Sequence, residues 1–188
     1  MTIGTLLTAI SLVWIVSEIL LARIKHSDRT GANMDKSSLR LLWTTIVISI
    51  VLGILLSAYR IGTITAGSTY YSISGLILIV AGLILRWTAI LTLRKYFTVD
   101  VSITKDHNLV ITGVYRYIRH PANTGSLLSF LGLGLTFSNV LSLLVIIVPI
   151  TVAFMHRITI EEKVLTEYFG NQYKQYCAAT KRLIPGIY

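Results

Sequence analysis

The sequence predicts an all-α, polytopic membrane helix bundle with about five transmembrane helices. Three observations carry that expectation. Of 188 residues, 54% are hydrophobic and only 13% charged, whereas about a quarter of an average soluble domain is charged. The mean hydropathy is +0.72, and the apolar residues gather in runs near the roughly 20 residues that a helix needs to cross the hydrocarbon core. The basic residues fall between those runs. A net charge of +9 and a pI near 9.9 would suit nucleic acid if the cations formed one stripe. Because they flank apolar segments instead, no nucleic-acid partner is expected and a membrane one is.

The first span is Thr2 to Ala22. It is not read as a signal peptide, because it lacks a basic leader, carries Glu18 and runs into Arg23 and Lys25 without a small-residue cleavage site. The second span is Leu41 to Tyr59 and the third Tyr70 to Leu93. The fourth, Pro121 to Phe137, and the fifth, Val140 to His156, are joined only by Ser138 and Asn139. They read as a tight helical hairpin, with a re-entrant pair as the alternative. Fifteen basic residues then lie on one side, against Arg60 alone on the other. The positive-inside rule puts the N-terminus outside and the C-terminus in the cytoplasm. The chain is expected to be one domain over 1–188, with three spans in 1–93 and a loop, hairpin and C-terminal segment in 94–188.

Within the spans, Gly75 and Gly82 share one face, and Ser126, Ser129 and Gly132 share another. Small residues let helices approach closely in lipid. Glu18 and Arg86 are the strongly charged residues well inside spans, so both are expected to face the bundle interior, as a pair or in a direct role. Cys177 is alone and the four histidines are scattered, so neither a disulfide nor a metal site is expected. A phosphate loop and a nucleophile elbow are also missing, and one intramembrane acid is too few for an ion path.

The polar segments carry the remaining information. In "YFTVDVSITKDHNLVITG", residues 96–113, two alternating β-branched runs flank a polar centre, which predicts a short hairpin at the membrane surface. In "GVYRYIRHPANTG", residues 113–125, Pro121 suits the first turn of a helix, where its missing N–H costs nothing. Proline also keeps His120 out of the helical region, making it the N-cap. The helix end, with Arg119, would attract an anion such as a carboxylate; Arg116 reads as a headgroup anchor. In "HRITIEEKVLTEYFGNQYKQY", residues 156–176, a continuing helix sets Arg157 and Glu161 on one face with Leu165. Spacing alone favours an interfacial amphipathic helix with an ordinary ion pair. Gly170 marks a helix end, and "KRLIPG" closes the chain at the membrane surface.

Together these segments resemble the isoprenylcysteine carboxyl methyltransferase family. The family pattern is roughly H-x-L-V-x-x-G-x-Y, R-H-P-x-Y-x-G, a helical hairpin, R-x-x-x-E-E and F-G-x-x-Y, and it covers about residues 96–186. The resemblance implies an integral membrane enzyme that moves a methyl group from S-adenosyl-L-methionine to a lipophilic acceptor, such as a prenylated cysteine, without a metal. It implies cofactor contacts from His107, Asn108, Leu109, Val110 and Tyr115, then Arg119, His120, Pro121, Ala122 and Asn123, and from Glu161. Arg157 matches the arginine that engages the acceptor. The family usually has an aromatic residue where this chain has Asn123, which bears on cofactor packing and acceptor choice. A phospholipid or amine N-methyltransferase, a membrane reductase with a nicotinamide nucleotide and a non-catalytic scaffold are the alternatives.

Overall fold

A computed structural model describes residues 3–24, 36–97 and 108–188. The helices are α1 (Ile3–Ile24), α2 (Lys36–Ala58), α3 (Ser68–Leu93), α4 (Pro121–Thr136), α5 (Val140–Phe169) and α6 (Asn171–Ala179), with 3₁₀ turns at Arg94–Tyr96 and Gly113–Arg116. Most of the hairpin expected over 96–113, with His107, lies outside the described residues. The all-α bundle is as expected, and the chain is a multi-pass membrane protein. Among the described residues, four helices are long and apolar enough to cross a membrane, namely α1 to α3 and α5. Their outer faces carry side chains such as Val13, Ile48, Ile77 and Val152, each more than half exposed. So continuous an apolar surface belongs in lipid rather than water.

Helix α4 departs from a full span. It has 16 residues, about 24 Å at 1.5 Å per residue, and lies along α3 instead of matching its length. The approach is close because the facing positions are small. A Cβ added at Gly82 would meet the Gly125 carbonyl oxygen at 2.5 Å, and one at Gly132 would meet that of Gly75 at 2.5 Å. Ser129 donates to the Ile79 carbonyl across the same seam. This register centres the shorter α4 on α3 and leaves its N-terminus about 8 Å short of the end of α3. The chain before α4 is therefore drawn down into the bundle. That recess holds the site.

The other seam joins α2 to α5, where Ser142 Oγ donates to the Gly53 carbonyl at 2.7 Å. The α4–α5 turn is stitched to the α2–α3 loop, with Val140 N–H on the Gly62 carbonyl and Asn139 on that of Ile61. Asn139 also caps α5 through the Ser142 N–H. Trp14, Leu42, Ile46, Ile79, Phe130, Ile146, Ile150, Ala153 and Phe154 form the main core. A smaller cluster of Leu21, Ala89, Ile90, Phe97, Tyr115 and Ala122 sits under the recess. Glu18 and Arg86 do face inward and do pair, Nη2 to Oε2 at 2.7 Å.

Candidate active site

Helix α5 runs unbroken for 30 residues, about 45 Å, so the expected fifth span and the polar segment after it are one rod. Its last turns stand beyond a hydrocarbon core of about 30 Å, and they carry Arg157 and Glu161 to the level of His120. Gly170, at φ 56°, then turns the chain into α6. His120 is the N-cap of α4 with Pro121 in the first turn, as the proline predicted.

These side chains line one cavity of about 520 Å³, within the usual range of a few hundred to about 1,000 Å³ for small-molecule sites. At its polar end are Arg157, Glu161, His120, Asn123, Tyr115, Tyr173 and Tyr176. Its other limb is walled by Trp14, Ile15 and Ile19 of α1, Leu42, Trp43, Ile46, Val47, Ile50 and Ile54 of α2, and Phe130, Leu133, Phe137 and Phe154. From Leu39 to Ile54, α2 lines it over about 22 Å. The limb is long, apolar and lies between membrane helices.

The polar end is organised by charge. Nδ1 of His120 is 3.6 Å from Glu161 and its Nε2 is 3.3 Å from Glu162. Burial alone would push this imidazole pKa down, but the two carboxylates outweigh it and hold it up at about 9. His120 is therefore a cation at neutral pH, with Nε2 in hydrogen-bond reach of Glu162 and Nδ1 in an ion pair with Glu161. The native state holds this proton more tightly than the unfolded chain, so the stabilisation is complete below about pH 6.5 and is lost as pH rises through about 9. Thermal unfolding in detergent is expected to show Tm falling across that window. His120→Gln should flatten the slope, and an equal slope in both proteins would rule the linkage out.

Glu162 is a hub that sequence reasoning missed. Besides His120, it accepts from Arg119 Nε at 3.0 Å and pairs with Arg182 Nη2 at 2.7 Å. Arg119 also donates to the carbonyls of Cys177 and Thr180. The anion expected at Arg119 is thus the chain's own Glu162. The C-terminal segment, expected to lie on the membrane surface, instead backs the site. Arg119 N–H bonds the Lys181 carbonyl and His120 N–H that of Arg182, Thr124 reaches the Leu183 carbonyl, and Leu183 is buried. Tyr176 O–H donates to the Tyr115 carbonyl at 2.6 Å, and burial raises both phenol pKa values and keeps them neutral.

Of the residues singled out in the sequence, Leu109, Val110, Tyr115, Arg119, His120, Ala122, Asn123, Arg157 and Glu161 share the cavity wall. Pro121 is fully buried behind it. Asn108 is exposed and donates to the Tyr96 hydroxyl at 3.2 Å. His107 lies outside the described residues.

Comparison with known proteins gives concordant matches. The family model for phospholipid methyltransferases matches residues 70–172, more than half of the chain. Protein-S-isoprenylcysteine O-methyltransferase B of Arabidopsis thaliana is 36% identical over 115 residues, 60% of this chain and 58% of that protein. The Saccharomyces cerevisiae protein-S-isoprenylcysteine O-methyltransferase is 31% identical over 153 residues, covering 80% and 64% of the two chains. The chain thus spans about three-fifths of the length of these curated relatives. A solved eukaryotic intramembrane Ras methyltransferase, an isoprenylcysteine carboxyl methyltransferase, superimposes with a TM-score of 0.65 at 31% identity over 77% of this chain and 52% of that one. The chain belongs to the phospholipid methyltransferase family and is similar to isoprenylcysteine carboxyl methyltransferases over part of their length.

Proposed function

We propose that this protein is an S-adenosylmethionine-dependent O-methyltransferase that esterifies the carboxylate of a lipophilic, prenylcysteine-like acceptor at the cytoplasmic membrane face. One observation carries the reading: a single cavity joins a charged end, Arg157–Glu161–His120, to a long apolar limb between membrane helices. A polar methyl donor and a hydrocarbon-tailed acceptor need that combination. The relatives' names supply the acceptor class. The orientation, N-terminus outside, follows from the basic residues.

The residues present fit the donor. Glu161 is one-third exposed and lines the cavity, so its carboxylate is open to a cationic amino group. Leu109, Val110, Tyr115 and Tyr176 provide an apolar and aromatic wall beside it. Bound there, S-adenosylmethionine supplies an electrophilic methyl group. Arg157 is buried and lies one turn from Glu161 where the charged end meets the apolar limb. It would hold the acceptor carboxylate by charge-assisted hydrogen bonds, aligning one oxygen for attack. A carboxylate is already ionised and needs no base. An amine would need one, and His120 is held as a cation up to about pH 9. The charge state of the site therefore favours the carboxylate over a lipid amine.

Calorimetry of the purified protein in detergent should show S-adenosylmethionine or its demethylated product binding. Glu161→Gln is expected to weaken that affinity about tenfold or more, the cost of one charge-assisted contact. An absence of binding in the wild type would remove the methyltransferase reading altogether.

A further inference from the structure

The proposed chemistry leaves Glu18 and Arg86 without a task, although both line the cavity. Arg86 on α3 grips Glu18 on α1 with two bonds, Nε to Oε1 at 2.5 Å and Nη2 to Oε2 at 2.7 Å. Its remaining nitrogen donates to the Ala122 carbonyl at 3.3 Å and to Ser126 Oγ at 2.9 Å. Those two residues flank Asn123 in the first turns of α4. One guanidinium therefore ties three helices at the border between the charged end and the apolar limb.

Helix α1 depends on this tie more than its neighbours depend on theirs. It forms one wall of the apolar limb through Trp14, Ile15 and Ile19, and α2 lines the limb as well. Among its described residues the inward apolar contacts are few: Trp14 against Phe130, ring centroids 4.9 Å apart, Ile10 against the main core, and Leu21 in the smaller cluster. Leu12, Val13, Val16 and Leu20 are exposed. In lipid no hydrophobic force presses such a helix onto its neighbours. A bidentate, largely buried ion pair is then a strong directional contact for it.

We propose that Glu18–Arg86 is a positioning pair for the acceptor: it sets where α1 stands, and so the width of the apolar limb and the chains it admits. The pair touches no reacting atom. Its ligand rests on the methyltransferase reading, but its effect on α1 does not.

Two measurements test it, both on the full chain in phospholipid nanodiscs. The first compares N-acetyl-S-geranyl, farnesyl and geranylgeranyl cysteine as acceptors at saturating donor. Glu18→Gln and Arg86→Gln should raise KM for the best acceptor about tenfold, a loss near 1.4 kcal/mol, and flatten the preference among chains. Values of kcat and donor affinity should stay within about twofold. The exchange E18R/R86E should recover part of the preference, and the apolar pair E18L/R86M, which leaves no unpaired buried charge, should behave like the single variants. An unchanged chain preference, or a parallel fall in donor affinity in E18L/R86M, would overturn the proposal. The second measurement places spin labels at exposed Val13 of α1 and Ile48 of α2, in a Cys177→Ser background. The distance distribution should broaden or shift in Glu18→Gln. An unchanged distribution would overturn the proposal even if no prenylcysteine proves to be an acceptor, the outcome that would count against the proposed function instead.

Discussion

Arg157→Ala is expected to lower methyl transfer by on the order of 10²-fold, the scale of a lost alignment at the reacting centre, while donor affinity stays within about twofold. The reasoning follows from its position. Arg157 is buried on α5 and lines the cavity, one helical turn from the carboxylate expected to hold the donor. In the proposed reading its guanidinium meets the carboxylate of an acceptor whose hydrocarbon tail fills the apolar limb. Lysine keeps the charge but loses the planar fork, so Arg157→Lys should recover only a small part of the rate. Single-turnover kinetics at saturating donor, beside donor titrations, separate the two effects. Lost donor binding with intact turnover would exchange the roles given to Arg157 and Glu161.

Glu162→Ala is expected to cost about 3 kcal/mol of stability or more, because it strips the carboxylate from a largely buried cluster. Glu162 is 12% exposed and meets Arg119, His120 and Arg182 at 3.0, 3.3 and 2.7 Å. Its removal leaves positive charges facing one another across the seam between α4, α5 and the C-terminal segment. That segment should loosen first, since Arg182 then keeps only Tyr188 as a side-chain partner among the described residues. Thermal unfolding in detergent and limited proteolysis near the C-terminus read both consequences. Glu162→Gln, which retains hydrogen bonding, should lie between wild type and alanine. A Tm for Glu162→Ala equal to wild type would show that the cluster contributes no stability.

The legible parts of the fold were those that one stretch of sequence determines. Apolar runs set the helices, proline after His120 set the start of α4, and Gly170 set the end of α5. Glu18 and Arg86 could be turned toward the bundle interior from their positions in the chain, because lipid gives isolated charges few alternatives, although a pair and a direct role stayed open. Arg157 and Glu161 were placed on one face by helical spacing, while their task came from the family pattern.

The illegible parts depend on contacts between distant residues. Glu162 follows Glu161 directly, yet its partners lie 43, 42 and 20 positions away, and spacing carries no trace of that. A signal was available in composition: with 8 acids against 17 basic residues, a buried Arg119 had to find either a ligand or one of those acids. The pairing of 118–120 with 181–182 was hidden because "KRLIPG" satisfies the pattern of a surface segment equally well. The shortness of α4 was partly visible in its 16 residues, but its consequence, a recess beside α3, needed the register that Gly82, Gly125 and Gly132 impose.

The most direct test of the catalytic reading is transfer of a labelled methyl group from S-adenosylmethionine, with N-acetyl-S-farnesylcysteine and phosphatidylethanolamine offered side by side in the same vesicles. The expected product is a prenylcysteine methyl ester, which releases its label as methanol in mild alkali. Label retained through alkali on the lipid amine, or no transfer to either acceptor, would contradict it.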